Sequence, residues 1–215
     1  DTAVLLINGQ FGPEVGTQNH FRYTEKLAKP VIFLVNQLDS DNCDYDKILD
    51  DLTANYGTKV VPVQYPVKTG ADFNSLIDVI LMKKLTWGPD GGEPTIEDIP
   101  AEEMEKAQEM HRTLVEAAAE NDEGLMEKFF ETEQLTEDEM REGIRKGMVT
   151  RSIFPVFCVC ATKNMGVGRL MEFLGNVVPF VDEMPAVHNT RGVEVPTDAA
   201  GPTSIYFFKT GVEPH

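Results

Sequence analysis

Two short polar segments sit where apolar runs end, and they are the places at which this sequence could do chemistry. Asn36-Gln37-Leu38-Asp39 follows Val31 to Val35 (VIFLV), and Cys160-Ala161-Thr162-Lys163-Asn164 closes Ile153 to Cys160 (IFPVFCVC). Continuous apolar runs of this length read as strands buried on both faces of a parallel sheet. Open α/β sheets bind ligands outside the carboxyl ends of such strands. An aspartate at the position of Asp39 can accept two hydrogen bonds, one from a guanine ring N–H and one from its exocyclic amine. Adenine presents the wrong pattern and leaves the carboxylate unpaired, a mismatch that discriminates by roughly 10⁴ or more. The backbone N–H near Ala161 suits a bond to the base oxygen, since a small side chain allows close approach. The spacing alone is weak evidence. With 10 Asn and 15 Asp in the chain, about 0.7 Asn-x-x-Asp matches are expected by chance. A strand-ending turn that satisfies its own backbone has the same signature. Position, and pairing with the second loop, are what lift it.

The elements around these loops follow an α/β rhythm. Ala3 to Ile7 (AVLLI) reads as a first buried strand, and Val15 to Ala28 as a helix stopped by Lys29-Pro30. After VIFLV, Tyr45, Ile48, Leu49, Leu52 and Tyr56 recur at helical spacing, with Gly57 placed to end the helix. The rhythm then breaks. Lys59 to Tyr65 (KVVPVQY) reads as one strand and Phe73 to Trp87 as one or two more. The turn-rich stretch Gly88 to Pro94 leads into an acidic helix over Ala101–Glu120, with Pro100 as its first residue. Thr136 and Glu139, with Leu135 in front, predict a capping box that opens a helix to Lys146. The rhythm resumes with IFPVFCVC and an amphipathic helix over Val167–Val178. Met184 to Pro202 has linker chemistry, and Ser204 to Lys209 (SIYFFK) predicts a strand.

Composition bounds the reading. The 215 residues are 41% apolar and 26% charged, which excludes a disordered or collagen-like chain. No apolar run approaches the roughly 20 residues that span a bilayer, and no secretory signal opens the chain, so a cytoplasmic setting and no membrane are expected. Nineteen basic against 36 acidic residues leave a net charge of −17, and residues 63–150 hold 9 basic and 21 acidic of these. That segment would repel a polyanion, so direct nucleic-acid binding by it is not expected. It would attract a basic protein, or be no more than a solvated face. Cys43, Cys158 and Cys160 read as free thiols, and His20, His111, His188 and His215 as surface residues without metal spacing. Met104, Met110, Met126, Met140 and Trp87 read as packing residues.

Taken together, the chain resembles a central piece of bacterial elongation factor G, the translational GTPase of ribosomal translocation. Asp1-Thr2-Ala3-Val4-Leu5-Leu6 is similar to the family's strand after its second switch region. Asn36-Gln37-Leu38-Asp39 is similar to its Asn-Lys-x-Asp guanine motif, and Cys160-Ala161-Thr162-Lys163-Asn164 to its Ser-Ala-(Leu/Lys) base loop. The resemblance implies an α/β fold: an incomplete P-loop-type G domain, a parallel sheet with flanking helices, carrying an α+β insert. The first strand of a following β-barrel domain comes after it. Residues 1–62 would be the first segment of the second half of the G domain, 63–150 the inserted acidic subdomain, 151–183 the final strand, base loop and helix, and 184–215 a linker and the start of the barrel. It further implies nucleotide-binding roles for Asn36, Gln37, Asp39, Cys160, Ala161 and Thr162: Asp39 reads the base edge, Asn36 braces the two loops, Ala161 donates from its backbone and Gln37 covers the base. GTP or GDP would be the cofactor of the intact parent, and the ribosome its partner, with the large-subunit stalk protein facing the acidic insert.

The sequence contains no G-x-x-x-x-G-K-S/T, so the phosphate loop, the Mg²⁺ site, both switches and all catalytic groups are expected outside this chain. The chain is read as a fragment that by itself binds no nucleotide stably and hydrolyses none. Two departures, Gln37 for the family lysine and Cys160 for its serine, predict weakened nucleotide affinity and a divergent paralogue. The rival reading is a non-enzymatic interaction module working through residues 63–150, with vestigial guanine loops. A ribosomal-protection protein or a release-factor GTPase stands within the same class.

Overall fold

The computed structural model describes residues 2–198 together with 200, 201, 203, 205 and 211. Alternation comes first: β1 (Ala3–Asn8), α1 (Val15–Lys26), β2 (Val31–Asn36), α2 (Tyr45–Tyr56) and β3 (Val60–Pro62). Four strands follow, β4 (Gln64–Pro66), β5 (Ser75–Asp78), β6 (Lys83–Thr86) and β7 (Thr95–Glu97), and then three helices, α3 (Ala101–Ala119), α4 (Glu123–Thr132) and α5 (Glu137–Val149). The alternation returns with β8 (Phe154–Cys158) and α6 (Val167–Asn176), and β9 (Val187–His188) and β10 (Glu194–Val195) come last.

A parallel sheet in the order β1-β2-β8-β3 carries the helices. In its interior, the five side chains of Val31 to Val35 are 0–7% exposed. Burial of such side chains contributes about 1.5–3 kcal/mol each, which is why this run tolerates no polar residue. β1 differs from its expected double burial. Ile7 is 1% exposed but Leu6 is 63% exposed, because β1 is the edge strand and pairs only with β2 among the described residues. Composition distinguishes a buried strand from a polar one, but not an edge from a centre.

Lys59 to Tyr65 is not one strand but two. β3 pairs with β8 in the parallel sheet, whereas β4 opens a second, antiparallel sheet in the order β4-β5-β6-β7. Val63 sits at the changeover: its N–H donates to Val156 O at 3.1 Å and its carbonyl accepts from Val79 N at 3.0 Å, so one residue is bonded toward both sheets. β7 and α4 form where no element is expected from the residue pattern.

The helix ends follow local chemistry. Asp44 accepts from Lys47 N to cap α2, which ends at Gly57 with φ +85°, and Asp122 accepts from Leu125 N to cap α4. Pro100 caps α3 from one position before its first turn. The Thr136 and Glu139 capping box is present, and α5 runs on to Val149. Lys128 of α4 bonds the Glu139 carboxylate at 2.6 Å and, with the cap bonds from Thr136, pushes its pKa down to about 2. α3 and α5 approach closely at Gly143, where a Cβ would lie 2.4 Å from Ala118 O.

A polar knot ties the two sheets to α6. Gln64 and Asp78, 0% and 1% exposed, are hydrogen-bonded at 3.1 Å, and Asp78 also takes Arg169 Nε at 2.9 Å and the N–H groups of Ile80 and Leu81. Tyr45 Oη and Cys158 Sγ donate to Gln64 O. All three cysteines are free and buried, and Trp87 is 4% exposed. His111 is not the surface residue expected: it is half-buried, with Nδ1 2.7 Å from Val79 O.

Residues 180–215 form a separate unit. Its expected linker carries a two-stranded antiparallel ribbon, β9 with β10, turned by Asn189, whose side chain accepts from the N–H groups of Arg191 and Val193. The barrel strand expected over 204–209 falls, apart from Ile205, outside the described residues, as does His215. No described helix is long and apolar enough to cross a membrane.

Candidate functional site

β2 and β8 are parallel neighbours with Val35 opposite Cys158, so both polar loops leave the same edge of the sheet. Val159 N donates to Val35 O at 2.9 Å, which carries the pairing one residue past β8. The side chain of Asn36 then reaches across, and its Oδ1 accepts from Ala161 N at 3.0 Å. The bracing expected of Asn36 is therefore made by the very N–H that the sequence assigns to the base oxygen. In this structure Ala161 N–H serves the brace.

Each loop is held in a shape that few residues adopt freely. Gln37 is exposed and has φ +64°, a left-handed conformation costing a non-glycine residue about 1 kcal/mol. Gly9, just past β1, makes room for it: its N–H donates to Asn36 O at 2.8 Å, and a Cβ there would lie 2.6 Å from Asn36 O and 2.8 Å from Gln37 O. The second loop closes on itself through reciprocal bonds between Cys160 and Met165, with Asn164 at φ +50° and Gly166 at φ +81° making the turn.

Asp39, at the end of the first loop, faces the second. Its Oδ2 is 3.1 Å from Lys163 Nζ, and the two side chains are 21% and 39% exposed. Partial burial pushes its carboxyl up, but hydrogen bonds from the Cys160 thiol and from Lys163, together with the lysine charge, more than offset this and hold it below the ordinary 3.8. Burial in turn raises the Cys160 thiol, which keeps its proton and remains a donor. Thr162 Oγ1 lies 3.5 Å from Cys160 Sγ, so its side chain faces the thiol. Asp39 is thus an ionised acceptor at the mouth of two braced loops, with room on a carboxylate's roughly four lone-pair positions for further N–H donors. Among the described residues, no group of three or more His, Cys, Asp and Glu could hold a metal ion.

All six residues singled out by sequence therefore lie on two loops that meet, with Gln37, Ala161 and Thr162 exposed. Gly9 and Lys163 are site residues beyond those six. Lys163 was signalled by being the one cation in either loop. Gly9 was signalled by nothing local, because its contact is with backbone atoms of a neighbouring strand's end.

The family model of the elongation factor Tu GTP-binding domain matches residues 1–180. The chain belongs to that family. A crystal structure of a Thermus thermophilus protein is similar in sequence and fold, at 28% identity and a TM-score of 0.75 over 83% of this chain. The shared region is 26% of the Thermus chain, so the present sequence spans about a quarter of that relative. A translational-GTPase type of G domain accounts for the parallel sheet, its flanking helices and the two loops at one strand edge.

Proposed function

We propose that this chain is the guanine-reading half of the G domain of an elongation factor G-like GTPase that drives ribosomal translocation, and that it comes from a divergent paralogue. Asp39 selects guanine, Asn36 and Cys160 hold the two loops in register, and Ala161 shares its N–H between Asn36 and the base oxygen when the base is present. Gln37 lies over the base, and Thr162 supports Cys160. The phosphate loop, the Mg²⁺ site and the catalytic groups belong to the rest of the parent, which works in the cytoplasm. The acidic insert faces the stalk protein of the large ribosomal subunit. The observation that carries this reading is the Asn36–Ala161 bond, which brings the two loops together beside an ionised Asp39.

The test is displacement of a fluorescent GDP from the full-length protein by unlabelled GDP and by ADP. Displacement by GDP at concentrations at least roughly 10³-fold below those needed for ADP is expected for a site of this kind. Equal displacement sinks the reading.

Gln37 offers a second test. A lysine at this position would add a charge-assisted donor where the glutamine has a neutral one, and such bonds exceed neutral ones by about 1 kcal/mol. Gln37→Lys is therefore expected to tighten GDP roughly fivefold in equilibrium titration. An unaltered dissociation constant removes this account of the position.

A further inference from the structure

We propose that the turn between β6 and β7 is a positioning element of the base site, acting on Asp39 through Lys163. The inference rests on the guanine reading of that site and extends it into the insert.

The turn is seated on the backbone of the second loop. Gly91 has φ +67°, and a Cβ there would lie 1.7 Å from Lys163 O and 3.2 Å from Asn164 O, so no side chain fits at this contact. Next to it, Gly92 N donates to Asn164 O at 3.1 Å. The turn is itself held in place: Gly91 N donates to Gly88 O at 3.0 Å, and the buried Trp87 indole donates from Nε1 to Gly92 O at 3.0 Å. A buried indole thus fixes a glycine turn, the turn fixes the backbone at Lys163 and Asn164, and the Lys163 ammonium reaches Asp39 Oδ2 at 3.1 Å. Every link is a direct contact, and the path joins the antiparallel sheet to the group that chooses the base.

Together with the Cys160 thiol, Lys163 holds the Asp39 carboxyl below its ordinary value, and its ammonium aims Oδ2. Guanine needs the carboxylate as a double acceptor, and protonation turns one acceptor into a donor. Nucleotide binding therefore holds above the Asp39 pKa and is lost as pH falls through it. The titratable groups facing Asp39 are Lys163 and Cys160 on the second loop and Cys43 beyond its own turn. Lys163 is the cation among them, so its removal or displacement raises the Asp39 pKa and moves the acid limb of binding to higher pH.

The experiment measures fluorescent GDP affinity against pH for the full-length protein and for Gly91→Ala, Trp87→Phe and Lys163→Gln. Gly175→Ala serves as the control, since a Cβ at that helix position meets nothing within 4 Å. Circular dichroism checks that each variant folds. Gly91→Ala, Trp87→Phe and Lys163→Gln are each expected to weaken GDP about threefold to thirtyfold, the range of coupling along a contact path. The acid limb should move to higher pH in Gly91→Ala and Lys163→Gln. Wild-type affinity and an unmoved acid limb in a folded Gly91→Ala protein overturn the proposal, even if Lys163→Gln alone weakens binding. Should Gly91→Ala not fold, Trp87→Phe decides: weakened binding supports the coupling and wild-type binding overturns it. An unaltered protein that fails to prefer GDP over ADP overturns the base-site reading and this inference with it. Preserved preference with indifferent turn variants overturns the inference alone.

Discussion

Asp39→Asn is expected to turn the full-length protein from a guanosine- to a xanthosine-nucleotide binder, with a loss of GDP affinity of about 10³–10⁴-fold. Guanine offers a ring N–H and an amine, both donors. The asparagine amide meets the second donor with a donor of its own and leaves two buried polar groups unpaired, which is the costly kind of mismatch. Xanthine carries an oxygen where guanine has the amine, and that oxygen accepts from the new Nδ2. The substitution is nearly isosteric, and the Asn36–Ala161 brace at 3.0 Å does not pass through Asp39, so the loops stay joined. Lys163 loses a charged partner but is 39% exposed and regains water. The effect therefore belongs to recognition rather than folding. Competition of fluorescent GDP by XDP and by GDP checks it, and an unchanged preference for GDP would remove Asp39 as the selecting group.

How much of this was legible in the sequence depends on where the information sits. VIFLV reads as a doubly buried strand because burial on both faces leaves no polar position, and the loops at Asn36 and Ala161 can be placed because they directly follow such runs. The Thr136 and Glu139 cap is legible because its contacts are local. AVLLI has the same apolar content as VIFLV yet exposes Leu6, since its place at the sheet edge depends on what pairs beside it and not on its own residues. The split at Val63 is invisible for a similar reason: KVVPVQY is uniformly strand-like, and only the backbone bonds to Val156 and Val79 show that it serves two sheets. β7 is exposed along its length and offers no alternation to read. The second loop's contact with Gly91 joins residues distant in sequence through backbone atoms, which no side-chain pattern records. Lys163 was readable as a cation but not as the partner of Asp39, because that pairing requires the two loops to have met.

The largest effect on stability is expected at the knot between the sheets. Asp78 is 1% exposed and accepts four hydrogen bonds, from Gln64 Nε2, Arg169 Nε and the N–H groups of Ile80 and Leu81. Asp78→Ala removes the acceptor of all four. Breaking a buried ion pair from one side costs about 3–5 kcal/mol, because the remaining charge stays buried without its counter-ion. Arg169 keeps Glu172 as a partner, and that carboxylate is 45% exposed, so the cost at the arginine falls toward the lower end. Among the described residues Gln64 has no such second carboxylate: its backbone carbonyl is held by Tyr45 and Cys158, and its Nε2 loses Asp78. A total of about 4 kcal/mol follows once the buried Ile80 N–H and the partly buried Leu81 N–H are included at less than their additive cost. For a chain of this size that lowers Tm by about 8–16 °C. The double variant Asp78→Leu/Arg169→Met should recover much of the loss, since an apolar pair leaves no buried charge behind. Urea unfolding of both variants checks the pair. A loss under about 1 kcal/mol for Asp78→Ala would mean that water reaches the knot and restores the lost bonds. A double variant no better than the single would mean that shape rather than charge is what Asp78 supplies.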